Sequence, residues 1–197
     1  MKRGVFSTWK QVAFSSIAIL FASLNPLTGA LQSEEQVSLV AKNAEMDWQE
    51  FHSVAGRCKM KFPVSPEHVS EKMSVPEEGY DLKYDAYISS ADKRTVYMLL
   101  IAQYPDFVNE SYAQMSLEQF LNGILTQNPN NQLIFADLLL VNGHEALDFF
   151  IRAGSVYFKG RAMMVKNSLY LMAMECEMQH YDEGRYTLFV ESFKFAH

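Results

Sequence analysis

The chain has 197 residues, of which 20% are charged, and a formal net charge of −6. That is enough chain for one sizeable core. An acid excess without a basic stripe excludes nucleic-acid binding through a general phosphate field, and no polybasic cluster is present to dock the chain on anionic lipid.

Residues 1–30 read as a cleavable export signal. Lys2, Arg3 and Lys10 make a basic start free of acids, and an apolar stretch from Val12 to Leu24 is broken only by Ser15, Ser16 and Ser23. Asn25 and Pro26 then end the helix, and Thr28, Gly29 and Ala30 place small residues at a cleavage site. The mature chain is expected to start at Leu31, to be more acidic still, and to work outside the cytoplasm, in the periplasm or secreted. The alternative is an uncleaved signal that anchors it. No cysteine stands near the cleavage site, so a lipid anchor is not expected. The later apolar run Leu133 to Val141 is too short to span a bilayer and contains Asp137, so no stable membrane span is expected after cleavage.

Residues 31–47 are polar and acidic and are expected to form a flexible arm, with order beginning at Trp48 and Phe51 in a domain over 48–197. From Arg57 to Phe62 the period is two: Cys58, Met60 and Phe62 share one face, and Arg57, Lys59 and Lys61 the other. Pro63 and Pro66 end this strand. A second strand covers His68 to Val75, followed by a turn over 76–79. Tyr80 to Ile88 alternates again, and Tyr87, out of phase with Leu82 and Ile88, is expected to face outward. Ser89 to Arg94 is a polar turn. Thr95 to Tyr104 is continuously apolar, as a central strand requires.

The period then changes. Tyr112, Met115, Phe120, Leu121, Ile124 and Leu125 recur largely at spacings of three and four, with Ser111/Gln114 and Ser116/Gln119 as capping boxes. Asn128 to Asn131 ends this internal helix. Leu133 to Val141 leads into Asn142-Gly143, a strong hairpin signal. Strands over Glu145 to Arg152, Val156 to Lys166 and Leu169 to Gln179 follow, with turns at Gly154 and Asn167-Ser168. Asp182 to Phe195 closes the chain as a helix whose face is Tyr186, Phe189, Val190 and Phe193. The meander order argues α+β: an antiparallel sheet of about seven or eight strands, packed by an internal helix and a C-terminal helix.

Several pieces carry a resemblance. Trp48-Gln49-Glu50-Phe51 followed by Gly56 to Pro63 is like an opening "W–F, glycine, strand, F-P" element. Asn142 to Ala146 is like a "G-x-x-A" hairpin, and Arg161 to Leu171 and the closing Val190 to Lys194 also match. The chain resembles the PsbP-like proteins, which share a fold with the Ran-binding Mog family and include many small bacterial secreted proteins. The resemblance implies an antiparallel sheet packed by helices and a role in binding or assembly. It carries no catalytic residues.

Chemistry-bearing groups are sparse. Met172, Met174, Cys176, Met178 and His180 alternate along one strand and so share a face. Thioether, thiolate and imidazole suit Cu(I), whereas the alternative is a Met-rich core. Cys58 and Cys176 pair as a disulfide in an oxidising compartment or lie as two buried thiols. None of the five histidines (His52, His68, His144, His180, His197) has zinc-helix spacing; His144 and Glu145 follow a tight turn and are expected to be exposed. No nucleophile elbow and no phosphate-binding glycine loop is present. No catalytic residue and no cofactor are expected. The sequence points to an exported, non-enzymatic binding or assembly protein of the bacterial envelope, with an envelope or secreted protein as partner. The alternative is a small-ligand or copper carrier, and a hydrolase ranks below both.

Overall fold

The computed structural model of the protein describes residues 48–75, 80–92 and 94–196. The expected export signal over 1–30, the arm over 31–47 and the turn over 76–79 lie outside the described residues.

In chain order the elements are β1 (Gln49–Ser53), β2 (Cys58–Phe62), β3 (Glu67–Val75), β4 (Tyr80–Ser89), β5 (Thr95–Gln103), α1 (Ala113–Gln127), β6 (Asn131–Val141), β7 (His144–Ala153), β8 (Val156–Val165), β9 (Ser168–Glu177), α2 (Glu183–Glu191) and β10 (Lys194–Phe195). The class is α+β, as the period changes predict. Seven strands form one sheet in the order β3-β4-β5-β9-β8-β7-β6, and β1, β2 and β10 form a small second sheet. All pairings are antiparallel. The β6–β7 hairpin turns on Asn142 and Gly143, both at positive φ (52° and 83°). That is the pair of left-handed residues a two-residue hairpin favours.

The large sheet is covered on both faces. On one, α1 packs Leu117, Phe120 and Ile124 against Leu147, Phe149 and Leu171. On the other, the small sheet and α2 pack Met60, Phe62, Phe189 and Phe193 against Leu99, Met172 and Met174. β5 and β9 sit between both cores and are buried almost throughout. This two-sided cover corrects the expectation for Tyr87. It is buried in the second core, stacked on His68 at 4.5 Å, with its hydroxyl 3.0 Å from Ser53 Oγ. Alternation identifies opposite faces but not which of them meets water.

Other differences have local causes. Residues 49–53, left without an element in the sequence reading, pair with β2 as β1. The strand expected to reach Gln179 stops at Glu177, where a 3-10 turn over Met178–His180 begins. The closing helix ends at Glu191, and Phe195 returns to pair with Cys58 as β10. Asp182 caps α2, its side chain accepting from the Arg185 amide. Neither expected capping box forms on α1. Asn109 instead caps a short 3-10 turn before it, and Ser116 is buried inside the helix. Gly160 allows a close approach in mid-sheet: a Cβ there would stand 2.6 Å from the Phe149 ring.

Candidate functional site

The two edges of the large sheet differ in chemistry. β3 carries Glu67, His68, Glu71 and Lys72. Three of them are tied to β4: His68 Nε2 lies 2.8 Å from Asp85 Oδ1, Glu71 accepts from the Tyr84 hydroxyl at 2.5 Å, and Lys72 pairs with Asp81 at 2.5 Å. Charged side chains of this kind blunt an edge against unwanted pairing.

β6 has no such guard. It is 11 residues long, reads Asn-Gln-Leu-Ile-Phe-Ala-Asp-Leu-Leu-Leu-Val, and pairs on one side only, with β7, among the described residues. Leu133, Ile134, Leu138 and Leu140 are all exposed, Leu140 by 68%. Leu138 and Leu140 lie opposite Leu147 and Glu145 of β7, and a register shift between Leu133 and Phe135 sets Ile134 outside the ladder. The Asp137 and Glu145 carboxylates have no hydrogen bond or ion pair among the described residues. An open ladder with apolar side chains and two uncompensated carboxylates can accept an extended segment. The backbone supplies the hydrogen bonds, and the side chains select the partner.

Beneath α2 the sheet carries a row of charge. Lys159, whose side chain is only 10% exposed, donates to both Glu183 oxygens (2.7 and 2.6 Å) and to the Tyr181 hydroxyl at 3.0 Å. The rings of Tyr186, Phe150, Phe135 and Tyr181 surround its ammonium at 4.5–5.7 Å. One rung along, Arg161 donates twice to Asp148 (2.6 and 2.8 Å) and once to Glu191 at 3.1 Å. Glu183 and Glu191 are the first and last residues of α2, so this row fastens both ends of the helix. Burial alone would raise the Glu183 carboxyl, but hydrogen bonds from Lys159 and Tyr181 hold it below its ordinary value. The Asp148 hydrogen bonds push the Arg161 pKa further up, against the effect of burial. The row is an internal fastening, with every cation already matched to an anion.

The sequence-predicted soft-ligand face is divided. Met172, Met174 and Cys176 point into the second core and are fully buried, whereas Met178 and His180 lie on the 3-10 turn beyond the strand. Burial raises the Cys176 thiol to about 11 and the Cys58 thiol to about 12. Both cysteines are free. Cys58 lies beside the Gly56 turn, over Ile101, while Cys176 pairs with Thr95 at the far end of β5. About 20 Å of strand separates these two places, against the roughly 7 Å that a disulfide permits between Cα atoms. Of the two alternatives the sequence leaves open, a disulfide or two buried thiols, the structure has the second. His144, half-buried beside Phe195, lies 3.3 Å from Glu110.

No protein-family model and no curated protein matches the chain. Solved structures do. Cyanobacterial PsbP (CyanoP) from Synechocystis sp. PCC 6803 superposes with a TM-score of 0.55 at 13% identity, covering 85% of this chain and 99% of that one. The fold is PsbP-like. A protein of unknown function from Pseudomonas aeruginosa, described as a putative regulator, gives a TM-score of 0.36 at 10% identity over 67% of this chain and 84% of its own.

The open edge was the site that the sequence reading missed. Leu133 to Val141 was legible as a strand, but an apolar strand at an edge and one in a core have the same composition. The available signal was a stretch with one charge and no proline; the lack of a second neighbour follows only from the strand order of the whole sheet.

Proposed function

We propose that the protein is an exported, non-enzymatic binding or assembly factor of the bacterial envelope. It takes an extended segment of another envelope or secreted protein as an added strand on β6. The PsbP-like fold supports an accessory binding role, and the basic, apolar, small-residue pattern of residues 1–30 supports export. Among the described residues no helix is long and apolar enough to cross a membrane. One observation carries the reading: β3 is guarded by charge, while β6 at the other edge is long, apolar and open. The partner segment is apolar at alternate positions and carries a Lys or Arg to meet Asp137 and Glu145. A second copy of this chain fits less well, since it would bring another Asp137 and an excess of the same charge.

A photo-reactive amino acid at Leu140, with Val69 on β3 as the control position, tests this in cells of the native host. The expected result is one heterologous adduct from position 140, none from position 69, and loss of the adduct in Asp137→Lys. No adduct, or only the chain's own dimer, would overturn the reading. The same mass spectra read the N-terminus: a chain starting at Leu31 supports export with cleavage, and one starting at Met1 refutes cleavage.

A further inference from the structure

At the β3 side of the large sheet, away from β6, lies an open cleft of about 390 Å³. Its floor is two cross-strand rows on the face that the small sheet covers elsewhere. The register aligns Lys72, Lys83, Gln103 and Ser168 in one row, and Ser70, Asp85, Ile101 and Tyr170 in the next. The β1–β2 turn forms a wall through Ala55.

The polar groups there divide by charge. Its acids are already committed: Asp85 to His68, and Glu71 to the Tyr84 hydroxyl. Its donors are not. Among the described residues the Lys83 ammonium has no ion pair, and the side chains of Gln103, Ser168 and Ser70 have no hydrogen-bond partner. Lys83 also stands directly opposite Lys72, and like charges opposed across a strand pair destabilise it. Asp81 pairs with Lys72 and leaves the Lys83 charge uncompensated. Beside these donors Ile101, Ala55 and the Tyr170 ring supply an apolar wall, and Tyr170 is held in place by its hydroxyl donating to the Gly56 carbonyl at 3.0 Å. Polar side chains make up most of the lining and Ala55, Ile101 and the Tyr170 ring form its one apolar side; a volume of this order suits a small polar molecule.

We infer that this cleft binds a small organic anion. The oxyanion head, a carboxylate or a phosphate monoester, sits on the row Lys83–Gln103–Ser168, and the carbon body lies against Ile101 and Tyr170. This site is separate from the β6 edge and does not depend on the proposed strand addition.

Amide chemical shifts of the full chain, titrated with glucuronate, glucose 6-phosphate, inorganic phosphate and neutral glucose, test the inference. The expected result is saturable shifts at Lys83, Gln103 and Ser168 with glucuronate or glucose 6-phosphate and none with glucose. Which of the two saturates separates a carboxylate head from a phosphate head. Lys83→Met is expected to weaken binding by about tenfold, as loss of one charge-assisted hydrogen bond does, while Lys61→Met on the small sheet leaves it unchanged. Three outcomes would overturn the inference: no saturable shift with either organic anion, equal binding by Lys83→Met, or binding of inorganic phosphate alone with shifts spread over many lysines.

Discussion

Asp148→Ala is expected to be far more damaging than removal of its partner, Arg161→Met. The Arg161 side chain is 15% exposed and Asp148 22%, and two hydrogen bonds of 2.6 and 2.8 Å join them. Truncating Asp148 leaves a guanidinium that cannot shed its proton, with only the exposed Glu191 in reach. Breaking a buried pair in this way costs about 3–5 kcal/mol; the remaining contact and the partial exposure bring the expectation down to about 2–3 kcal/mol. Arg161→Met keeps an apolar stem of similar length and leaves a carboxylate that can still reach water, so about 1 kcal/mol is expected. The double variant should recover about 1 kcal/mol relative to Asp148→Ala alone, because the stranded charge has gone. Urea unfolding followed by far-ultraviolet circular dichroism, at equal m-values, measures all three. In a domain of this size Asp148→Ala should lower Tm by roughly 5–10 °C. The reasoning fails if Arg161→Met costs as much as Asp148→Ala, or if the double variant costs the sum of the two.

Two further outcomes follow from burial. Glu175 lies opposite Phe158 and Val96 on the α1 side of the sheet, and burial raises its carboxyl pKa. A raised acid favours the folded state while it holds its proton, and that contribution is lost as pH rises through the raised value. Glu175→Gln should therefore stabilise the protein by about 1 kcal/mol at pH 8 and by nearly nothing at pH 4; equal effects at both values would refute this. Cys58 and Cys176 should both stay unreactive to a thiol reagent in the native protein and both react after non-reducing denaturation, whereas no reaction after denaturation would establish the bridge that this fold separates.

Much of the fold was legible because short-range periodicity carries it. Arg57 to Phe62, Tyr80 to Ile88 and the Asn142-Gly143 hairpin each announce themselves in a few residues. What was not legible depends on which strands become neighbours. β5 pairs with β9 across the whole of α1 and the β6–β8 meander, and this pairing decides that β5 and β9 are central while β3 and β6 are edges. Tyr87 reads as outward because nothing local says that the small sheet covers it. The exposure of Leu138 and Leu140 is not legible because nothing local says that β6 has one neighbour. The cleft is further from reach: Lys72, Lys83, Gln103 and Ser168 meet only once four strands stand in register, and none of them belongs to a motif.

The same pairing decides where function can sit. With both faces of the large sheet covered, its interior strands have little polar surface to offer, and binding is left to the periphery. The open ladder of β6 and the donor row near β3 occupy opposite sides of the sheet. Three strand spacings, about 14 Å, separate β6 from Ser168 on β9, the nearest member of the row. Sites this far apart with no shared residue should respond independently. Lys83→Met should leave adduct formation at Leu140 intact, and Asp137→Lys should leave the glucuronate and glucose 6-phosphate titrations intact. Coupling between them would require the buried centre of the sheet to shift as a unit, and its close packing around Gly160 and Phe149 resists that. If either variant disturbs the other site, the sheet is transmitting strain, and the two surfaces form one device.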